Sequence, residues 1–308
     1  FNDWISELRL KSLFLAFTNC AVGCALGCFY GVVSPHTLLC SVLIITTGVL
    51  LQILSNFADD YGDALKHADG TNRIGPIRAV MIGSISLTQL RKAMGLVTVL
   101  AAGSGMLTLF LSLGANLEAI ALFCFIGIAA VLAAIFYTIG ISYGYRGFGD
   151  IAVFIFFGPV AVIGSQILVL NASGQPVDVF PDTYLLAGAL GLHSVMVLHI
   201  ASMRDIDEDR ITGKKTIASR LVSWRAAIYL TVLFAISSAL SIFACITSHK
   251  VWEASIIICA LIPLTASTFR TFINYDNGKK VAKERKYSLI GCTVHNIAWI
   301  IVLTVDLW

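Results

Sequence analysis

The 308-residue chain is 57% hydrophobic and only 13% charged, with a formal charge of +3. An ordinary soluble domain is about 25% charged, so this composition excludes a water-soluble fold and gives no support to nucleic-acid binding. The apolar residues fall into blocks close to the ~20 residues that cross a hydrocarbon core as a helix, which implies a lipid bilayer as the solvent.

In chain order the blocks predict nine spans: Leu13–Val33, Leu38–Asn56, Leu87–Leu113, Ala119–Ile139, Ile151–Leu170, Tyr184–Met203, Ala226–Ile246, Trp252–Phe272 and Ser288–Leu307. No barrel-type alternation is present, and backbone amides in lipid must be satisfied internally. The expected fold is therefore all-α, a polytopic transmembrane helix bundle forming a single integral-membrane domain over residues 1–308. The first block lacks a small-residue cleavage site and is expected to be a membrane helix, not a removed leader. With a cytoplasmic amino terminus, every Lys and Arg except Lys250 falls on the inner side. A missed or extra span would scatter these charges, so the positive-inside rule supports the count of nine. The basic run Lys279–Lys286 is expected to be an inner loop beside anionic headgroups. The eight cysteines lie in or beside apolar blocks and read as packing residues.

At the inner end of the second block stands Ser55-Asn56-Phe57-Ala58-Asp59-Asp60-Tyr61-Gly62-Asp63. On a helix, Asn56, Asp60 and Asp63 share one face, with Asp59 expected to be turned away. At the inner end of the sixth block, Arg204-Asp205-Ile206-Asp207-Glu208-Asp209 places Asp205 and Asp209 one turn apart. Like charges this close at a membrane boundary are costly unless a cation compensates them. Two carboxylate clusters on one membrane face suit Mg2+ bridging a polyphosphate, because magnesium takes a few carboxylates and completes its shell with phosphate oxygens and water. The dispersed histidines offer no zinc spacing. Arg73, Arg78, Arg204, Lys214 and Lys215 lie close enough in sequence to meet phosphate oxygens, although each is also explained by the positive-inside rule. A third inner segment, residues 137–150, is rich in glycine and carries Tyr137, Tyr143 and Tyr145. Those rings can shield a cation or simply anchor at the interface.

These residues resemble the UbiA superfamily of intramembrane aromatic prenyltransferases, and within it those that act on 1,4-dihydroxy-2-naphthoate. The resemblance spans nearly the whole chain. It is carried by Leu51-Gln52-Ile53-Leu54-Ser55-Asn56 into Asp60-Tyr61-Gly62-Asp63, and by Arg73-Ile74-Gly75-Pro76 with Arg78. Tyr143-Gly144-Tyr145 and Arg204-Asp205-Ile206 with Asp209-Arg210 and Gly213-Lys214 complete it. The chain departs from the family's usual pattern at Asp59, where Asn is common, and at Ala201 and Ser202, where paired Asn is common. The resemblance implies polyprenyl transfer from polyprenyl diphosphate to 1,4-dihydroxy-2-naphthoate with decarboxylation, in the bacterial cytoplasmic membrane with the site facing the cytoplasm. Asp60, Asp63, Asp205 and Asp209 are the implied catalytic and magnesium-binding residues. Asn56, Arg73, Arg78, Tyr137, Tyr143, Arg204 and Lys214 are the candidate substrate contacts. Other aromatic acceptors within the superfamily stay open, as does an ion-coupled transporter using membrane carboxylates. Transporter sites, however, lie near the midplane and not at span ends.

Overall fold

A computed structural model describes residues 2–66, 74 and 78–305. Among the described residues there are helices but no strands, and nine helices are long and apolar enough to cross a bilayer. A short helix α1 (Asn2–Leu8) precedes α2 (Leu10–Tyr30), α3 (Pro35–Leu65), α4 (Leu87–Leu113) and α5 (Leu117–Phe136). Then come α6 (Gly149–Ala172), α7 (Pro181–Arg204), the short α8 (Ile206–Ile211) and α9 (Ile217–Arg220), α10 (Ser223–Thr247), α11 (Ala254–Ile273) and α12 (Gly278–Thr304).

The predicted spans and the helices agree in number and order, but two helices run far past one end of their apolar blocks. α3 starts at a Ser34–Thr37 capping box with Pro35 in its first turn, and it continues past Asn56 to Leu65. Its 31 residues make a rod of about 46 Å against a hydrocarbon core of about 30 Å, so one end projects into the interfacial layer. That end carries the first acidic cluster. α12 begins at Gly278, with Asn277 capping the Lys280 amide, so the basic run expected to be a loop is helix. Hydropathy measures contact with lipid, whereas Lys, Arg and Glu are good helix formers.

The centre of the bundle is α2 and α7, the most deeply buried of the nine. α2 packs on α3, α6 and α12, and α7 packs on α6, α10 and α12. Close approach of α6 to α7 depends on Gly158, where a Cβ would stand 2.4 Å from the Ala187 carbonyl oxygen. Polar side chains knit the middle. Asn19 Nδ2 donates to the Phe157 carbonyl (2.8 Å), Asn296 Nδ2 donates to Asn19 Oδ1 (2.7 Å), and Trp299 Nε1 donates to Ser241 Oγ (2.9 Å). The Phe157 carbonyl lies within a π-helical stretch of α6, Phe156–Ile163, which holds Pro159. Proline has no amide hydrogen to offer the ladder, and the widened turn releases carbonyls that Asn19 then satisfies.

Candidate active site

A cavity of about 950 Å³ opens among α2 to α7 and α12 at the end of the bundle where α3 projects. Its floor is acidic: Asp59 and Asp63 come from α3, Asp205 from the end of α7, and Asp209 from α8. Its upper part runs between α3, α4, α5 and α6 and is walled by apolar side chains such as Ile44, Leu109, Phe123, Val131 and Leu168. The two acidic segments, far apart in sequence, therefore share one chamber.

Towards its acidic end, α3 turns Gln52, Ser55, Asn56, Asp59 and Asp63 to the cavity. This corrects the expectation that Asp59 points away. The face is centred near Asp63, not Asn56, and on that centring Asp59 lies inside the arc and Asp60 outside it. Asp60 is 1% exposed and does not line the chamber; it is held by Arg9 and by Arg78 Nε at 3.2 Å, two guanidiniums that do line it. Its Oδ2 is buried with no hydrogen-bond partner. Arg9 also reaches Asp59 Oδ2 at 2.8 Å, from a left-handed backbone (φ 50°) at the break between α1 and α2. A non-glycine residue there stores strain of about 1–3 kcal/mol, which the two carboxylate contacts offset. Those contacts, set against the cost of burial, hold the Arg9 guanidinium more firmly protonated than usual. Asn56 binds the same break, donating to the Leu8 carbonyl (3.0 Å) and to Ser12 Oγ (3.2 Å). Its side chain thus joins α3 to α2 as well as lining the chamber.

Asp63 accepts a hydrogen bond of 2.6 Å from the Tyr145 hydroxyl. Tyr145 sits between two ammonium groups, Lys66 Nζ at 4.0 Å and Lys214 Nζ at 4.7 Å from the ring centre. The loop that carries it is pinned to α3 where Gly62 meets Thr138: Thr138 Oγ1 donates to the Ala58 carbonyl (2.7 Å) and Lys66 Nζ to the Thr138 carbonyl (2.7 Å). Tyr137 and Tyr143 pack edge to face, centroids 5.4 Å apart, and both line the chamber. Burial, with Asp59 nearby, pushes the Tyr137 phenol well above its usual range, and burial pushes Tyr143 up to about 12. Both are neutral phenols at physiological pH.

Asp205 is engaged by Arg204 through both carboxylate oxygens, the Nε contact measuring 2.6 Å. Asp209 accepts from Thr216 Oγ1 at 3.0 Å. Burial raises its pKa to about 6, against the opposing pull of Lys214. For Lys214 the balance is reversed: burial lowers its affinity for a proton, but Asp63, Asp59 and Asp209 outweigh that and hold it charged. Lys215 N donates to the Tyr145 carbonyl (2.8 Å), tying the second acidic segment to the tyrosine loop.

Of the sequence-predicted residues, Asn56, Asp63, Arg78, Tyr137, Tyr143, Arg204, Asp205, Asp209 and Lys214 line the chamber. Asp60 adjoins it through Arg9 and Arg78. Arg73 lies outside the described residues. Arg9, Lys66 and Arg285 were legible only as inner-side charges, and Tyr145 only as one of three loop tyrosines.

A family model described as the UbiA prenyltransferase family matches residues 16–293. The chain belongs to this family. It is 33% identical over 307 residues to the 1,4-dihydroxy-2-naphthoate octaprenyltransferase of Escherichia coli, covering 99% of this chain and 96% of that one. The fold of this UbiA family member is similar to the apo structure of a UbiA homolog from Aeropyrum pernix K1, with a TM-score of 0.72 at 16% identity over 97% of this chain and 98% of that one. It is also similar to a UbiA homolog from Archaeoglobus fulgidus bound to GPP and Mg2+, with a TM-score of 0.62 at 16% identity over 97% and 99% of the two chains.

Proposed function

We propose that this chain transfers a polyprenyl group from polyprenyl diphosphate to 1,4-dihydroxy-2-naphthoate, with loss of the ring carboxylate as carbon dioxide, giving the reduced, quinol form of demethylmenaquinone. The observation that carries the reading is the joining of an acidic floor to a long apolar chamber, in a chain one-third identical along its length to a naphthoate octaprenyltransferase. The reaction is assigned to the bacterial cytoplasmic membrane with the floor facing the cytoplasm, as the inner-side concentration of Lys and Arg supports.

Among the described residues, no three Asp, Glu, His or Cys side chains converge closely enough to cage a metal unaided. Magnesium relies on a few carboxylates plus substrate phosphate oxygens and water. The candidate ligands are Asp60, Asp63, Asp205 and Asp209, now joined by Asp59. All are hard oxygen donors, and Asp59, Asp63, Asp205 and Asp209 open onto the chamber. Bound magnesium would neutralise the leaving diphosphate and so weaken the allylic C–O bond.

The chain's own residues supply the remainder. Lys214, Arg78 and Arg204 hold phosphate oxygens. The faces of Tyr137 and Tyr143 stabilise the developing allylic cation, and as neutral phenols they do not capture it. The apolar chamber takes the isoprenoid tail and keeps water from the cation. The electron-rich ring then attacks the allylic carbon, and the carboxylate leaves as carbon dioxide, its C–C bonding pair returning to the ring to restore aromaticity. Purified protein given prenyl diphosphate, Mg2+ and a panel of aromatic acceptors is expected to release pyrophosphate and form prenylated product with the naphthoate. Turnover on another acceptor, with none on the naphthoate, overturns the assignment.

A further inference from the structure

Five cationic side chains surround the floor of the chamber; three of them form ion pairs within the chain, and a fourth is ringed by carboxylates. Arg9 and Arg78 share Asp60, Arg204 grips Asp205, and Lys214 sits among Asp63, Asp59 and Asp209. Arg285, on α12, differs. It lines the chamber and among the described residues it forms no ion pair, so that its Nε, which like that of Arg9 is sealed from solvent without a hydrogen-bond partner, belongs to a guanidinium that no carboxylate holds. The charges acting on it most strongly are three other guanidiniums, Arg9, Arg204 and Arg78, with Asp205 the carboxylate among its neighbours. Cations gathered this way in a low-dielectric site repel one another unless an anion joins them.

The surroundings of Arg285 indicate which anion. The charges acting on Lys214 are Asp63, Asp59, Asp209 and Asp205, so Asp205 is the element common to two cationic poles. The Lys214 pole lies with the acids that suit a metal diphosphate. The Arg285 pole adjoins apolar wall: Leu289, one turn further along α12, lines the chamber together with Leu15 of α2 and Val197 of α7, and the three belong to one packed cluster. A guanidinium at the edge of an apolar surface suits a flat ring bearing a carboxylate, since it can take both carboxylate oxygens in its fork.

We propose that Arg285 binds the carboxylate of the aromatic acceptor, with Leu15, Val197 and Leu289 as the wall against which the ring lies. This deepens the assignment above and rests on it for the identity of the acceptor. Arg285 is then the residue by which the enzyme distinguishes a carboxylated ring from one without the group. A diphosphate oxygen offers the same acceptor chemistry, and the two sources separate by experiment.

In Arg285→Gln, the KM for 1,4-dihydroxy-2-naphthoate is expected to rise at least tenfold, with the KM for prenyl diphosphate within twofold of wild type. Preference for the naphthoate over 1,4-naphthalenediol should collapse, and Arg285→Lys should recover part of it. A raised KM for prenyl diphosphate with an unchanged one for the acceptor overturns the proposal in favour of a phosphate role, and no change in either overturns it outright. Calorimetric binding of 2-naphthoate and 2-naphthamide to the wild-type protein needs neither turnover nor a folded variant; equal affinity for the two also overturns it. Wild type that binds 2-naphthoate more tightly than the amide yet never prenylates the dihydroxy acid leaves the carboxylate site standing and removes the assigned reaction instead.

Discussion

Replacing Gly62 by Ala would place a Cβ 2.4 Å from Thr138 Oγ1, 2.6 Å from Thr138 Cβ and 2.9 Å from its carbonyl carbon. The last of these is backbone, so no rotamer change relieves it, and the loop bearing Tyr145 must move off α3 by roughly 1 Å. Such overpacking costs about 1–3 kcal/mol. Three hydrogen bonds cross the same contact: Thr138 to Ala58, Lys66 to Thr138, and Tyr145 to Asp63. Loosening them adds about 1 kcal/mol each, offset in part by alanine's advantage of about 1 kcal/mol over glycine inside a helix. The expected net loss is about 3–5 kcal/mol, read as a lower midpoint of thermal unfolding in detergent. Since a misplacement of ~1 Å can cost about 100-fold in rate, kcat should fall by about that factor. Gly95→Ala and Gly103→Ala serve as controls, because a Cβ at either position meets nothing within 4 Å. Both should be neutral or slightly stabilising. A Gly62→Ala enzyme with the wild-type midpoint and a kcat within twofold of wild type would refute the claim that this contact sets the position of the floor.

Other outcomes follow from the same geometry. Asp60→Ala and Asp209→Ala should each abolish magnesium-dependent transfer while the protein still elutes as a folded species; retained turnover in either removes that residue from the machinery. Tyr145→Phe leaves the Asp63 Oδ1 without its 2.6 Å phenol partner and should weaken the apparent affinity for Mg2+ about tenfold, as read from a metal titration of the rate. Burial raises Asp209 to about 6, so its charge is lost as pH falls through 6, and transfer should decline below that value. Metal-free protein should show the opposite sign. A carboxyl whose folded pKa lies above its unfolded one binds more protons when folded, so thermal stability should rise as pH falls from 7 towards 5, and Asp209→Asn should flatten that slope.

How much of this was legible in the sequence depended on what each signal measures. Span number and order were readable because lipid imposes length and hydropathy together, and α4 falls on its predicted limits, Leu87–Leu113. The functional ends of α3 and α12 were not, because the polar residues that equip a site also lower hydropathy, and the windows stopped at Asn56 and began at Ser288. Arg285 was hidden for that reason: within a run read as a headgroup-facing loop, nothing marks one basic residue as turned inward. Pairing of the acidic segments was legible from their chemistry. Which of two adjacent aspartates faces the chamber was not, since a shift of some 30° in the centre of a helical face exchanges Asp59 for Asp60, and only packing against α1 and α2 fixes that centre.

The balance of charge explains why such a floor can exist at a membrane boundary. Five carboxylates, Asp59, Asp60, Asp63, Asp205 and Asp209, meet four cationic side chains already committed to them, Arg9, Arg78, Arg204 and Lys214. A buried charge stripped of its partner is far more costly than the intact pair is favourable. Neutralising one member should therefore disturb its neighbours: Asp60→Ala removes the carboxylate that Arg9 and Arg78 share, whereas Asp59→Asn leaves both guanidiniums their contact with Asp60. The second change should be much the milder in thermal stability. Equal losses in the two variants would show that Arg9 depends on Asp59 as heavily as on Asp60, and that the left-handed turn at Arg9 is held by both.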